Sequence, residues 1–235
     1  SEIIVPQDYT LKLSQAGGLP LGAKALTLSG GGTLQSEGLD LSHQNSKLLL
    51  SSITVDNVTT SESSLGLDID ADSSITSLSV SNITPVAIAT DKKLSGAITV
   101  SAGSLNLTET GTLASAITMS GGKLDADNTM IISGTLTQAG NAAIDVKDEE
   151  TVTFNTGTIN TENYQLTFEG EGTVAFPTNA SGIVLNHEDG IFKLAGTGTV
   201  QAVQVSTVAN PGKGILVTQS GTISNLNISA DTELN

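Results

Sequence analysis

A short pattern of alternating apolar residues followed by a glycine corner recurs along the chain. It reads apolar-x-apolar-x-x-x-Gly-Thr-apolar, and its five full copies are LTLSGGGTL at 26–34, LNLTETGTL at 105–113, LTFEGEGTV at 166–174, FKLAGTGTV at 192–200 and ILVTQSGTI at 215–223. The apolar-x-apolar run is the period-two pattern of a strand with one buried side. Glycine suits the corner because it tolerates positive φ and the close approach of a neighbouring backbone. The pattern predicts short strands separated by sharp corners.

The spacing of these corners predicts a solenoid. The Gly-Thr marks at Gly111, Gly134 and Gly157 are 23 residues apart, whereas LSGAITVSAGSL at 94 and LASAITMSGGKL at 113 are offset by 19. Repeats of 20 to 50 residues are typical of stacked-coil proteins, and no stretch has sustained helical periodicity. We therefore predict an all-β fold, a single parallel β-helix (β-solenoid) of about ten coils of roughly 19–23 residues.

The ends and loops of this solenoid are assigned from breaks in the pattern. Residues 1–25, with few repeat marks, are expected to be either an N-terminal cap or a divergent first coil, and residues 26–235 the solenoid itself. The interrupted repeat LNISADTELN at the end favours a segment of a longer protein. Proline predicts protruding loops at 84–93, 176–182 and 208–214.

Composition limits the possible partners. The chain has nine basic and 24 acidic residues, a net charge of −15, no cysteine and only 3% aromatic residues. A surface so poor in cations is unsuited to nucleic acid, because phosphate binding depends on Lys and Arg. No apolar run approaches the roughly 18 residues of a membrane-spanning helix, so we expect no membrane insertion of this segment. The scarcity of aromatic residues predicts a thin aliphatic core.

Three stretches, LTLSGGGTLQ at 26–35, LNLTETGTLA at 105–114 and ITMSGGKLDA at 117–126, resemble known surface repeats. They are similar to the β-helical repeats of bacterial autotransporter passenger domains and of the related filamentous-haemagglutinin-like adhesins. The resemblance extends over most of the chain from about residue 26. It implies a right-handed parallel β-helix that is exported, extracellular or associated with the outer membrane, and that serves in adhesion or as a stalk.

One acidic stretch is a weak candidate for metal binding. In LDIDADSS at 67–74, the side chains of Asp68, Asp70 and Asp72 are expected to project from one side of a strand. Clustered oxygen ligands suit Ca²⁺. The EF-hand pattern fails, however, because Ser73 occupies its glycine position and Ser79 its final glutamate position. We favour a solvated strand, and predict no catalytic or cofactor-binding residue.

The remaining polar motifs are interpreted as solvated loops and turns. Paired carboxylates can cleave glycosides, but sugar-stacking aromatics are scarce and Trp is absent. Thr-x-Thr triplets at 108, 156 and 197 are similar to those of ice-binding solenoids, yet their irregular spacing at corners favours a role in turns. The acidic residues that we interpret as parts of solvated loops are Asp145, Asp148, Glu149, Glu150, Glu162, Glu169 and Glu171. The isolated histidines His43 and His187 are interpreted in the same way.

The sequence favours a non-enzymatic cell-surface or secreted protein. In this hypothesis, a stalk or adhesin presents an acidic surface and loops to a protein or glycan on a host, a neighbouring cell or a matrix. Two alternatives remain open: a carbohydrate-active β-helix enzyme, and a structural element that associates with itself end to end through uncapped coils.

Overall fold

The structure is a computed structural model that describes residues 1–14, 18–207 and 209–229. Within these residues the chain forms strands and turns without any helix, as predicted. In chain order the strands are β1 (Glu2–Ile4), β2 (Thr10–Leu13), β3 (Leu19–Pro20), β4 (Ala25–Ser29), β5 (Thr33–Ser36), β6 (Leu39–Asp40), β7 (Lys47–Ser51), β8 (Thr54–Thr60), β9 (Gly66–Ile69), β10 (Ser73–Val80), β11 (Ile83–Ile88), β12 (Lys93–Val100), β13 (Ser104–Leu107), β14 (Thr112–Leu113), β15 (Ala116–Met119), β16 (Lys123–Ala126), β17 (Met130–Ile132), β18 (Leu136–Gln138), β19 (Ala142–Val146), β20 (Thr151–Phe154), β21 (Thr158–Asn160), β22 (Gln165–Phe168), β23 (Thr173–Ala175), β24 (Gly182–Leu185), β25 (Ile191–Leu194), β26 (Thr199–Val205), β27 (Gly214–Val217) and β28 (Thr222–Ile228).

These strands stack into three parallel faces. The first face contains β1, β4, β7, β9, β11, β13, β16, β19, β22, β25 and β27. The second contains β2, β5, β14, β17, β20, β23 and the first halves of β8, β10, β12, β26 and β28. The third contains β3, β6, β15, β18, β21, β24 and the second halves of the same five long strands. The chain is thus a parallel β-solenoid of about eleven turns.

The turns differ in length along the stack. We number each turn by the first-face strand with which it begins, so that turn 1 begins with β1 and turn 11 with β27. Paired residues are 19 apart between Leu48 and Leu67 but 26 apart between Leu166 and Phe192. The solenoid prediction is confirmed, although some turns are longer than the sequence pattern predicts. The right-handed coil implied by the resemblance stays a prediction.

Residues 1–14 and 18–20 form the first turn of the same stack. They supply β1, β2 and β3, one strand to each face, and these strands pair with turn 2. Residues 15–17 of the expected cap, residue 208 of an expected loop and residues 230–235 of the expected solenoid lie outside the described residues.

Aliphatic side chains form a continuous column inside the three faces. On the first face Leu28 pairs with Leu50, Leu50 with Ile69 and Ile69 with Ile88, and all four are at most 1% exposed. The side chains of each turn therefore cover those of the next turn, whereas an isolated short strand could not bury its apolar side chains. The column is the aliphatic core that the composition predicts.

The four phenylalanines lie in the longer turns. Phe154, Phe168, Phe176 and Phe192 are all buried between turns 8 and 10, and the rings of Phe154 and Phe176 stack with centroids 5.9 Å apart. A longer turn encloses a wider cross-section than a short one, and large rings fill the additional space. This variation explains why the repeats of the sequence share no single spacing.

At the corner between the first and second faces, adjacent turns come so close together that only glycine fits. A Cβ on Gly172 would lie 2.6 Å from the carbonyl oxygen of Glu150 and closer still to that of Lys147. Gly172 has no positive φ, so sterics alone exclude a side chain there. The close approach of the backbone is therefore the reason for this repeated residue.

One predicted loop is instead a core strand. Residues 83–88 form β11, in which Thr84, Val86 and Ile88 are buried, so the prediction of a protruding loop at 84–93 is wrong for its first half. Proline keeps the residue before it extended, and Pro85 pairs with Asn106 on the first face. Turns do occur at 178–179 and 211–212.

Candidate functional site

The three aspartates of the weak calcium candidate have different surroundings. The Asp68 carboxylate lies 2.6 Å from Lys47 Nζ on the first face. Asp72 Oδ1 accepts a hydrogen bond of 3.0 Å from the Lys93 backbone amide of turn 5, and Asp70 is exposed at the corner between them. No group of three or more His, Asp or Glu side chains suited to a metal occurs in the described part of the chain. Calcium binding by this stretch stays an untested weak candidate, and the solvated strand stays the favoured interpretation.

A second ion-pair group on the first face joins turns 7 and 8. Lys123 Nζ donates to Asp145 Oδ2 at 2.8 Å and lies 3.4 Å from Asp125 Oδ2. Burial alone lowers the pKa of Lys123, but the hydrogen bond to Asp145 and the two negative charges outweigh burial, so the pKa rises above its ordinary 10.5. Stability from this cation is thus present below pH 10.5 and is lost as the pH rises through the higher folded pKa.

The charged form of Asp125 is disfavoured in the folded protein. Burial raises its pKa above the ordinary 3.8; Lys123 opposes this rise, while Asp145 and Asp127 add to it. Because the folded state favours the protonated carboxyl, the resulting stability is present below pH 3.8 and is lost as the pH rises through the folded pKa. At neutral pH this acidic group costs stability, and Lys123 limits the cost.

Carboxylates from six successive turns line the corner between the first and second faces. We call this the acidic corner; it comprises Asp70, Asp72, Asp91, Glu109, Asp127, Asp148, Glu149, Glu150, Glu169 and Glu171. Some of these groups hold turns together: Glu150 Oε2 accepts hydrogen bonds from Thr129 N at 2.6 Å and Thr129 Oγ1 at 2.7 Å. Others, such as Glu109, Glu169 and Glu171, are exposed. The acidic corner is a long anionic surface along the rod.

The other predicted polar residues lie in turns. His43 Nδ1 accepts from the Asn45 amide at 3.0 Å, and His187 Nδ1 accepts from the Asp189 amide at 3.1 Å. Glu162 Oε1 accepts from Asn186 Nδ2 at 3.2 Å. These contacts are local turn contacts or contacts between adjacent turns.

A regular array of small side chains covers the third face over turns 3 to 7. The Thr-x-Thr triplets at 108, 156 and 197 begin at corners, as expected, but strand pairing creates a different array. Its central column repeats once in each turn, and columns of Ser, Ala and Thr flank it, with Asn57 beside Thr59 in turn 3. We call this the hydroxyl-methyl array: centrally Thr59, Ser79, Thr99, Thr118 and Thr137, and beside them Ser61, Ser77, Ser81, Ala97, Ser101, Ala116, Ser120 and Thr135.

The third face is uncharged for most of its length. In its strands from Asn57 to Ile228, within the described residues, there is no Asp, Glu, Lys, Arg or His, although the chain carries a charge of −15. The charges concentrate on the first face and at corners. The solenoid therefore presents an anionic corner and a separate neutral face.

The sequence pattern does not reveal this neutral face. Its members come from different turns and are distant in the chain, so they become neighbours only when the register of each turn is known. The offset of 19 between LSGAITV and LASAITM is the one available signal. Extending that offset from Thr99 to Thr118 and then to Thr137 would have identified three members.

Comparison with protein-family models, with curated proteins and with solved structures finds no match for this chain. The parallel solenoid is compatible with passenger-like β-helical folds. In the described residues, no helix has the length and apolar character needed to cross a bilayer.

Proposed function

We propose that this chain is a non-enzymatic segment of a bacterial protein that is secreted or displayed at the cell surface. In this proposal it acts as a stalk or adhesin of the autotransporter-passenger or haemagglutinin-like type, and contacts a protein or glycan on a host, a neighbouring cell or a matrix. The observation that carries the proposal is the unbroken aliphatic column inside about eleven stacked turns. At about 4.8 Å per turn this stack is a rod roughly 50 Å long.

The outside of the rod supports a binding role more than a catalytic one. Small hydroxyl residues and exposed carboxylates occur along its sides, and several carboxylates are engaged in contacts between turns. Nearby carboxylates with unequal pKa values can serve acid–base catalysis. Here, however, Lys123 bridges Asp125 and Asp145, an arrangement that serves the fold.

Retention on surfaces tests the adhesin proposal. Labelled protein is applied to immobilised matrix proteins, animal cells and bacterial cells, beside a variant with the exposed acidic corner neutralised (Glu109→Gln, Glu169→Gln, Glu171→Gln). We expect retention on at least one surface and weaker retention of the variant in low salt, where surface charge is least screened. Absence of retention on all surfaces overturns the proposal. Polysaccharide cleavage that is lost in an acidic variant would favour the enzyme alternative.

End-to-end association is a separate alternative with its own observation. Leu226 and Ile228 pair with the buried Val203 and Val205, yet they are 39% and 42% exposed in turn 11. Exposed apolar groups beside unpaired strands favour association. Light scattering over a concentration series tests this alternative: growth of rods supports it, and a constant monomer mass excludes it.

The hydroxyl-methyl array favours a second candidate function, binding to ordered water at an ice surface. Its rows repeat at about 4.8 Å along the rod, and its columns lie about 6.6 Å apart within a strand, two residues at about 3.3 Å each. Such a repeating and uncharged array of hydroxyls and methyls suits a lattice of water better than a charged partner. Inhibition of ice recrystallisation tests this candidate, with Thr118→Lys in the array and Thr153→Lys on the second face as its matched control. Inhibition that only Thr118→Lys abolishes supports the candidate; no inhibition by the unaltered protein excludes it.

A further inference from the structure

Two adjoining grooves lie where residues 176–181 meet turns 10 and 11. Their volumes are about 310 Å³ and 220 Å³, and Asn179, Ala180, Ala202 and Asn225 line both. The larger groove alone reaches the lower end of the range of ligand-pocket volumes, about 300 Å³. Because they share lining residues, the two grooves form one continuous surface site, which we call the amide groove.

The amide groove contains side-chain amides with unused hydrogen-bonding capacity. Asn179, Gln204, Asn225 and Asn227 line it, and their side chains make no hydrogen bond to any other described residue. Elsewhere such amides connect turns: the side chain of Asn82, for example, donates to the Ser61 carbonyl at 2.8 Å. Each free amide offers two N–H donors and one carbonyl acceptor. The groove thus presents a dense set of donors and acceptors to solvent.

The amide groove is also uncharged. All its lining residues are neutral, whereas the two other grooves described on the rod include Asp72 and Lys93 in one and Lys12 and Asp56 in the other. A charged ligand would find no partner of opposite sign there. An uncharged ligand that both donates and accepts hydrogen bonds fits the lining, and the hydroxyls of a neutral sugar have this chemistry.

The apolar residues beside the amides are almost fully covered: Phe176 is 8% exposed and Ala202 9%. Phe176 lines one end of the groove, supported by its stack on Phe154, and Ala202 contributes a methyl group to both parts. Gln201 Oε1 accepts a hydrogen bond of 3.1 Å from the backbone N–H of Phe176, and this bond connects this end of the groove to turn 10. The accessible lining of the groove is therefore mainly polar, and the hydroxyl groups of a sugar can pair with it.

We propose that the amide groove binds a short neutral oligosaccharide. This inference rests on the proposed adhesive function and names the class of ligand that this part of the third face recognises. Specificity comes from the amides, and the absence of charge discriminates against sugars that carry carboxylates or sulfates.

Calorimetry with defined tetrasaccharides tests the inference. The probes are cellotetraose, mannotetraose and chitotetraose, with tetragalacturonic acid as the acidic counterpart. We expect at least one neutral probe to bind and the acidic probe not to bind. Asn225→Ala combined with Asn227→Ala removes two amides and should weaken binding by about tenfold or more. Asn155→Ala with Asn160→Ala removes two exposed amides that lie outside the groove, and this matched control should bind as the unaltered protein does.

The outcomes separate this inference from the proposed function. If no neutral probe binds, or if the Asn225→Ala, Asn227→Ala variant binds unchanged, the inference is overturned. Retention on the surfaces described above is measured in parallel for the unaltered protein and for the Asn225→Ala, Asn227→Ala variant. Retention without binding of any neutral probe overturns the groove inference alone, and probe binding without retention on any surface overturns the adhesin proposal alone. Unchanged thermal unfolding of both variants confirms that any lost binding arises in the groove.

Discussion

Replacing Gly172 by alanine should destabilise the solenoid because two turns touch at this corner. The added Cβ would lie 2.6 Å from Glu150 O and 2.8 Å from Val146 Cγ1, below the 3.0 Å that real Cβ contacts respect. Turns 8 and 9 must therefore separate, which weakens the bonds from Gly172 N to Val146 O and from Thr173 N to Glu150 O, both 2.8 Å. Two weakened hydrogen bonds at about 1 kcal/mol each, plus at least about 1 kcal/mol of overpacking, give about 3 kcal/mol.

The assay is urea unfolding followed by circular dichroism, with Gly212→Ala as the control. Gly212 has a φ of +77°, but no atom lies within 4 Å of the point that an added Cβ would occupy. Alanine there incurs only the cost of the left-handed backbone, about 1 kcal/mol. We expect the Gly172 variant to lose about 2 kcal/mol more than the control, with a melting temperature lower by about 6–12 °C than that of the unaltered protein. Equal losses in the two variants would refute close stacking as the reason for the corner glycines.

Three further predictions concern the core and the polar contacts. Leu50→Ala, in the aliphatic column, should cost about 2–5 kcal/mol in urea unfolding; a cost below about 1 kcal/mol would contradict its full burial. Gln138→Met should cost about 2 kcal/mol, because the Gln138 amide donates to the carbonyls of Gly140 and Gln165 where β18 and β21 do not pair; an unchanged unfolding midpoint would exclude this role. Asp125→Asn should raise the free energy of unfolding, relative to that of the unaltered protein, more at pH 7 than at pH 3, because the raised pKa of Asp125 makes its ionisation costly. A difference in unfolding free energy that does not change with pH would contradict that shift.

The fold is predictable from the sequence because local pattern and global architecture agree. Apolar-x-apolar pairs become inward-facing pairs such as Leu26 and Leu28, and the glycine that follows sits where a Cβ cannot fit. Parallel stacking then follows, because each short strand needs a neighbour on both sides. These properties belong to single repeats and can be read without knowing the register.

Surface sites depend on the register, which is why the sequence does not reveal them. Thr99 and Thr118 become neighbours only through pairing of β12 with β15, and Gln204 joins Asn227 only through pairing of β26 with β28. The turn spacing also lengthens from one turn to the next where β19 pairs with β22, so no single period predicts all contacts. Proline is a misleading signal as well: it predicts a loop around Pro85, where the chain is an extended core strand.

The central claim is that successive turns stack in parallel at the observed register, and engineered cysteine pairs test it most directly because the chain has no cysteine of its own. Thr99 pairs with Thr118, and Thr118 with Thr137. Neighbouring strands lie about 4.8 Å apart, within the Cα range of a disulfide, whereas strands two turns apart are separated by about 9.6 Å and lie outside it. We predict that Thr99→Cys with Thr118→Cys forms a disulfide on mild oxidation and that Thr99→Cys with Thr137→Cys does not. Equal cross-linking of the two pairs, or cross-linking of the second pair alone, would contradict the stacked solenoid.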